Sequence, residues 1–486
     1  MDINKNKDIK VRFIGGSSTG VTGSAILVEY PKGKNRIGKF LIEYGLIQSN
    51  SLVKDYELNN RKIKGFKAKD LDFIICSHLH GDHTLLIGKL YKEGARCPLI
   101  FPEGSRDFYS HMCMDSASIM LRDSLLLSKI KKKPIEPIYS KEDADIALDC
   151  LVEYSFYKIH KINDYVSIQY IPAGHIEFSA QIIIYIKKNN GQVIKIGYSG
   201  DLGNKKFDKV FSNNFNPIKQ CDVFIGEATY NTPDKSCTTK DRKKDREKIK
   251  SIIDKTCILN KNKVLFAVFS LDRCQHMLYE IYRLYKDDKN FNIDIYVDSP
   301  LSVKLTETYV NSYKKEDIDK YKLIKDICSW KNVKFIKEAV DSKALINSDK
   351  PMIVLASSAF LKAGRAVKWV QNLLPSVKAH IVFCGYSGGV GSIVWKIKNY
   401  KEEKIISIDG KKVKNKASIT FLKSFSSHMQ YEDLIEYYSN INTKKICIVH
   451  SNSNKDTFCN NLRESISKNN RTTKVVCVNK DTLIRL

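Results

Sequence analysis

The sequence predicts an α/β protein: a layered sandwich of sheets and helices, interrupted by a second α/β layer. Three observations carry this. Several short apolar strands come before any long helical stretch, which favours stacked sheets over one doubly wound sheet. Beyond Tyr230 helical stretches alternate with apolar strands, the pattern of a parallel sheet. At 486 residues the chain exceeds what one core organises, so two or three domains are expected.

The elements follow in order. Lys10 to Ile14 alternates and runs through the loop Gly15-Gly16-Ser17-Ser18-Thr19-Gly20 into the apolar stretch Ala25 to Val28. No helical pattern follows that loop, so the Rossmann and P-loop readings fail. Phe40 to Gly45 is a further strand and carries a carboxylate, Glu43. Leu71 to Cys76 reads as a buried strand and opens into Ser77-His78-Leu79-His80-Gly81-Asp82-His83. Ser116 to Lys132 is the best amphipathic stretch of a helix-leaning segment. Strands resume at Val166 to Ile171, ending at His175, and a hairpin of Gln181 to Ile186 and Val193 to Tyr198 ends at Asp201. Asp222 to Glu227 is another strand with a terminal carboxylate. The run Lys240 to Lys250 interleaves acids with bases and reads as a solvated helix face. Val264 to Phe269, Asp294 to Val297, Met352 to Leu355 and Ile381 to Cys384 are the strands of the second layer. Past Gly391 come strands with isolated histidines, His428 and His450.

Chemistry concentrates in the stretch after Cys76. Of ten histidines in the chain, three fall within six residues beside a carboxylate, the ligand types and local density of a metal site. His175, Asp201, Glu227 and His450 also stand at strand ends. Singly each reads as a packed core residue; jointly they amount to a two-metal ligand set, with zinc or manganese favoured over magnesium.

Composition narrows the partners. Lys and Arg number 81 against 54 Asp and Glu, a formal charge of +27, which fits a polyanionic partner or a generally lysine-rich proteome. Thirteen scattered cysteines without a C-x-x-C pair lead us to expect reduced thiols and a cytoplasmic protein. No apolar run approaches the roughly 20 residues of a membrane span, and the first residues lack a signal-peptide core.

The ordered set Glu43, His78-x-His80-x-Asp82-His83, His175 and Asp201 resembles the motifs of the metallo-β-lactamase fold. Later segments resemble its β-CASP branch of nucleases, which includes RNase J and the pre-mRNA 3′-end cleavage endonuclease. They are Glu227-Ala228-Thr229-Tyr230, Phe269 to Gln275, Asp298-Ser299-Pro300-Leu301, Ala356-Ser357-Ser358 with Gly364-Arg365, Gly385-Tyr386, Ser426-Ser427-His428 and Val449-His450. The match runs from about Val11 to His450.

The resemblance implies an αββα metallo-β-lactamase sandwich, residues 1–228 and 394–486, with an inserted α/β β-CASP domain at 229–393. The short stretch after His450 implies a compact member. The family would place one zinc on His78, His80 and His175, another on Asp82, His83 and His450, and Asp201 between them; Mn²⁺ is the alternative ion. The implied reaction is hydrolysis of RNA phosphodiesters by a metal-activated hydroxide, with Asp82, Glu227 and His428 catalytic and His428 the general acid. Arg273, Ser358 and Arg365 are implied contacts to substrate phosphates, Arg273 being equally readable as a structural salt bridge. Endonucleolytic cutting of single-stranded RNA is the expectation; a DNA nuclease and a non-catalytic RNA-binding module are the rivals, and oligomeric state is open. Glu43 departs from the family's usual Asp, Gln430 from an acid, and Ser451-Asn452 from Gly-Glu.

Overall fold

The computed structural model describes residues 8–486 apart from 16–19, 34–35, 63–64, 208–209, 386–387, 401–403 and 470. The loop residues Gly16 to Thr19 and Tyr386 thus lie outside the described residues. The chain divides into two compact units. The first is Met1–Lys205, Ser212–Ser236 and Ser427–Leu486; the second is Lys206–Phe211 and Cys237–Ser426.

In the first unit, β1 (Lys10–Gly15), β2 (Ala25–Pro31) and β3 (Ile37–Ile42) form an antiparallel meander. To it β4 (Phe73–Ile75), β5 (Leu99–Pro102) and β6 (Leu151–Tyr154) add in parallel. A second sheet starts with β7 (Ile159–Lys161), β8 (Val166–Pro172), β9 (Ala180–Lys187) and β10 (Val193–Tyr198), all antiparallel. Parallel to β10 lies β11 (Val223–Ala228).

Unit two holds β12 (Lys263–Ala267), β13 (Asp294–Val297), β14 (Val333–Phe335), β15 (Met352–Ala356), β16 (His380–Cys384), the hairpin β17 (Ile405–Ile408) and β18 (Lys411–Lys414), and β19 (Ser418–Leu422). Six of these form one parallel sheet in the order β14-β13-β15-β12-β16-β19. After the return at Ser427, β20 (Lys445–Ser451) and β21 (Lys474–Cys477) extend the second sheet, and β22 (Leu483–Arg485) pairs with β1. Both sheets of the first unit then have seven strands.

The reason for the two-sheet arrangement is visible in β8, where Val166, Ile168 and Tyr170 are buried and Ser167 and Gln169 between them are half-exposed. That period-two pattern buries one face. The face meets Phe13, Val28, Phe40 and Phe73 of the other sheet in a single core with Ile184, Ile196 and Ile225. By contrast β11 and β20 are buried along nearly their whole length. Helices Tyr431–Asn440 and Lys455–Lys468 cover their second side, packing Leu434, Tyr438, Phe458 and Leu462 onto Phe224, Ile446 and Ile448. On the first sheet, helix Arg106–Lys131 lays Tyr109 against Phe101 of β5, ring centroids 4.8 Å apart. Among the described residues no helix is long and apolar enough to cross a membrane.

Three expectations need correcting. The second unit runs to Ser426, not 393, because β19 hydrogen-bonds to β16 and carries 394–426 with it. The charged run does not lie wholly in solvent. Helix Thr239–Ile253 buries Arg242 and Asp245, one turn apart. Arg242 Nη1 donates to the Ser424 carbonyl at 2.8 Å and its guanidinium stacks on Phe425 at 3.8 Å, while Asp245 accepts from Ser424 N and Oγ at 3.2 and 2.7 Å. Arg246 forms a two-pronged pair with buried Glu280 at 2.9 and 3.0 Å. Finally, not every cysteine is free. Helix Lys455–Lys468 and β21 bring Cys459 and Cys477 together as a disulfide across 18 residues of sequence.

Candidate metal centre

Side chains that can bind a metal collect where strands of the first unit end. After β4 the chain passes through Ser77 and His78 into a one-turn helix, Gly81–Thr84, which carries Asp82 and His83 and has His80 at its N-cap. The loop after β3 grips this helix through Tyr44 N to His83 O and Leu46 N to Gly81 O, both 2.9 Å. Gly45 between them sits so near that a Cβ would lie 1.7 Å from the Asp82 carbonyl oxygen. His175 follows β8, Asp201 follows β10 and Glu227 lies within β11. In β20 the ladder slips, with Glu227 opposite Val449 and Ala228 opposite Ser451. His450 is the extra residue of this bulge, at φ 46°, and the bulge re-aims its side chain. His428 is held by an antiparallel bridge to Gly203, flanked by Asn204 N to Ser427 O at 2.9 Å and Met429 N to Leu202 O at 2.7 Å.

Asp201 stands at the centre. Its Oδ2 lies 3.6 Å from His78 Nε2 and 3.7 Å from His175 Nε2, and its Oδ1 lies 3.3 Å from His83 Nε2 and 3.4 Å from His450 Nδ1. His80 Nδ1 is 3.2 Å from His175 Nε2, and Asp82 Oδ2 is 3.4 Å from His450 Nε2. The seven expected ligands thus fall into two groups, His78, His80, His175 and Asp201 in one and Asp82, His83 and His450 in the other. Glu43, His78 and His83 form a third, and Asp201, Glu227 and His428 a fourth, in which His428 Nδ1 is 3.3 Å from Glu227 Oε1.

These residues fit a metal pair. His78 Nε2, His83 Nε2 and Asp201 Oδ1 are buried without a hydrogen-bond partner, a costly state for polar atoms unless a cation takes their lone pairs. Ligands around a tetrahedral ion at about 2.0–2.1 Å lie about 3.3 Å from one another, close to the separations seen.

The layer behind sets the orientation. Glu43 leaves β3 at φ 62° and is fully buried. It accepts from the Ser77 hydroxyl, from His83 Nδ1 at 2.6 Å and from the Tyr198 hydroxyl at 2.5 Å. The longer Glu side chain thus reaches the histidine it must hold. Glu227 accepts from Leu202 N at 2.9 Å and Thr229 N at 2.8 Å, and Thr229 Oγ1 lies 3.0 Å from His450 Nδ1. Gln430, the second departure, donates to the His428 carbonyl at 3.1 Å, and Ser451 accepts from Asn231 at 3.0 Å. Ser77, Tyr198 and Thr229 escaped the sequence reading; their one signal is adjacency to the motif residues.

The charges are strongly coupled. Burial, aided by neighbouring imidazoles, drives His78 and His175 well below their ordinary value. Burial acts the same way on His83, but Glu43, Asp201 and Asp82 outweigh it and hold that ring well above. His450 is raised too, burial losing to Asp201 and Asp82. Burial likewise fails to raise Asp201 and Asp82, which the imidazoles hold below the usual carboxylate range. The pocket therefore concentrates negative charge and favours cations. A divalent ion displaces imidazole protons in taking those ligands.

The three residues expected to meet substrate belong to the second unit. Arg273 opens helix Arg273–Tyr285 behind Asp272, whose φ of 68° lets Arg273 N bond back to Leu271 O at 2.8 Å. Its Nη1 donates to the Cys384 carbonyl at 3.2 Å. Ser358 accepts from Leu361 N at 3.2 Å through its carbonyl. Arg365 turns inward: its Nη1 binds buried Asp298 and the Ile336 carbonyl, and its Nη2 the Lys337 carbonyl. Asp298 is held as well by Trp369 Nε1 at 2.7 Å and Ser342 Oγ at 2.5 Å.

Known proteins resemble this chain along most of its length. Residues 274–391 match the Beta-Casp domain. Ribonuclease TTHA0252 of Thermus thermophilus is 26% identical, over 90% of this chain and 93% of its own. An RNase J-like protein of Methanocaldococcus jannaschii is 26% identical, over 87% of this chain and 92% of its own. The transcription termination factor FttA of the same organism is 24% identical, over 92% of this chain and 67% of its own. In three dimensions a protein of unknown function from Enterococcus faecalis superposes on 99% of this chain and 100% of its own at a TM-score of 0.53 and 10% identity, a likeness of fold alone. A Beta-Casp domain thus lies inside the second unit, and proteins named ribonuclease or RNase J-like align along nearly the whole chain.

Proposed function

We propose that the protein is a two-zinc ribonuclease that hydrolyses RNA phosphodiesters, with the first unit a metallo-β-lactamase sandwich and the second its β-CASP insertion. The observation that carries this is the division of the Asp201 carboxylate, one oxygen toward His83 and His450 and the other toward His78 and His175. The relatives named ribonuclease support the substrate class, and the charge of +27 suits an RNA backbone. With RNA as substrate, the cytoplasm is its place of action.

His78, His80 and His175 would hold one ion, Asp82, His83 and His450 the other, and Asp201 would serve both. When bound, such a pair supplies hydroxide near neutral pH and positive charge for the phosphoryl oxygens. Glu227 accepts the Nδ1 proton of His428, so the second ring proton sits on Nε2, the atom that passes it to the leaving oxygen. The Leu202 and Thr229 amides fix Glu227 and thereby the ring. Arg273 and Ser358 are the proposed contacts to the RNA backbone; Arg365 contributes by holding Asp298.

The test is incubation of the zinc- or manganese-loaded protein with linear and circular single-stranded RNA and with DNA of the same sequence. Cutting of circular RNA establishes an endoribonuclease. Preferential cutting of DNA would replace RNA as substrate, and RNA binding without cleavage would make the protein a binding module.

A further inference from the structure

We propose that Ser77 is a positioning residue that relays Glu43 to His78, so that one buried carboxylate orients a ligand histidine on each side of Asp201. The inference rests on the metal-centre reading above and concerns side chains that reach no substrate.

The Ser77 hydroxyl has a single hydrogen and two neighbours, Glu43 Oε1 and His78 Nδ1, the latter at 2.9 Å. An ionised carboxylate has no hydrogen to give, so the hydroxyl hydrogen goes to Glu43. Its lone pair is left for His78, which must therefore carry its proton on Nδ1 and present the Nε2 lone pair to the site. His83 reaches the same state directly, since its Nδ1 faces Glu43 Oε2 at 2.6 Å. In both rings Nε2 is the buried atom without a hydrogen-bond partner, on opposite oxygens of Asp201. The hydroxyl has little freedom to turn elsewhere. Ser77 is fully buried, its carbonyl accepts from Ala180 N at 2.8 Å, and its side chain lies against Gly200, where a Cβ would come within 2.6 Å of Oγ.

Tyr198 provides the comparison, because its hydroxyl serves the same carboxylate from β10 at 2.5 Å. Removing either hydroxyl deprives Glu43 of one donor. Only Ser77 stands between Glu43 and a histidine, so a packing role and a relay role predict different results.

The experiment strips the full chain with a chelator and titrates Zn²⁺ against a competing chromophoric chelator, with melting recorded in parallel. The unmodified protein takes up two equivalents. Ser77→Ala weakens one of them by about 10–100-fold and leaves the other within about threefold, the range for losing a group that orients a metal-bound histidine. Glu43→Gln weakens both. Tyr198→Phe leaves both within about threefold although it loses a donor to the same carboxylate. Ser77→Cys, of similar size and a poor donor, repeats the alanine test should the cavity in Ser77→Ala prevent folding. The relay is overturned if Ser77→Ala and Ser77→Cys bind both equivalents as the unmodified protein does, or if Tyr198→Phe weakens uptake as much as they do. Absence of any uptake by the unmodified protein is a separate result, which removes the metal-centre reading and the relay with it.

Discussion

Replacing His428 by Ala separates chemistry from architecture, and the structure sets both magnitudes. The side chain is 21% exposed, and its contact to Glu227 is a 3.3 Å hydrogen bond. Glu227 keeps its Leu202 and Thr229 amide donors when the imidazole goes, so no buried carboxylate is left unsatisfied. The stability lost includes that hydrogen bond, about 1 kcal/mol, and the ring contact to His175 at 4.5 Å, about 1 kcal/mol more. A general acid acts only as the leaving bond breaks, and its loss slows cleavage by about 10²–10⁴-fold, or roughly 3–5 kcal/mol of barrier. The assay is single-turnover cleavage of RNA by protein of measured zinc content, run beside a substrate with sulfur in place of the leaving oxygen. A thiolate departs without protonation, so His428→Ala should cut the sulfur substrate at nearly the unmodified rate. A folded, metal-loaded variant equally slow on both substrates would refute the proton-donor role; one fully active on both would remove His428 from catalysis.

Other expectations follow from particular contacts. Arg365→Ala strands Asp298, fully buried, with only neutral donors, and should cost about 3–5 kcal/mol in urea unfolding; normal stability with weakened RNA binding would make Arg365 a substrate contact instead. Gly45→Ala forces the Asp82 carbonyl to retreat from a Cβ built 1.7 Å away, so zinc content should fall and stability drop by about 1–3 kcal/mol, read by elemental analysis and melting. Zinc affinity should rise with pH, because His83 and His450 are held above their ordinary value and must shed protons to bind. Each proton expelled contributes about tenfold per pH unit, and competition titrations in a buffer series read the slope. The metal-free chain shows the opposite sign from these two rings: their contribution is complete below the unfolded value of about 6.5 and is lost as pH climbs through the raised folded values.

Much of the site was legible because several of its residues stand at the ends of apolar runs. His78 follows Phe73 to Cys76, and His450 follows Ile446 to Val449, so strand and ligand announce one another. Hydroxyls carry no such mark. Ser77 and Thr229 are ordinary strand-end residues until three dimensions set them against Glu43 and His450. Arg242 and Asp245 were hidden for a different reason, since a run of alternating charge reads as solvated whether or not Ser424 and Phe425 lie over two of its members. The domain boundary slipped because β19, Ser-Ile-Thr-Phe-Leu, is too mixed in polarity to declare which sheet it joins. Arg365 was implied as a phosphate contact by the motif it shares with Gly364, and its partner in the fold is Asp298, a pairing that carries no mark in the sequence.

The bulge at His450 makes the length of β20 as consequential as its composition. Val449 and Ser451 keep their places opposite Glu227 and Ala228 because one supernumerary residue is looped out between them. Deleting any single residue from Cys447 to Val449 would let the ladder zip up in even register. The histidine would then be drawn into the pleat, a change no substitution table would flag. A one-residue gap in this strand therefore displaces His450, whereas a substitution that keeps both length and volume leaves the bulge in place.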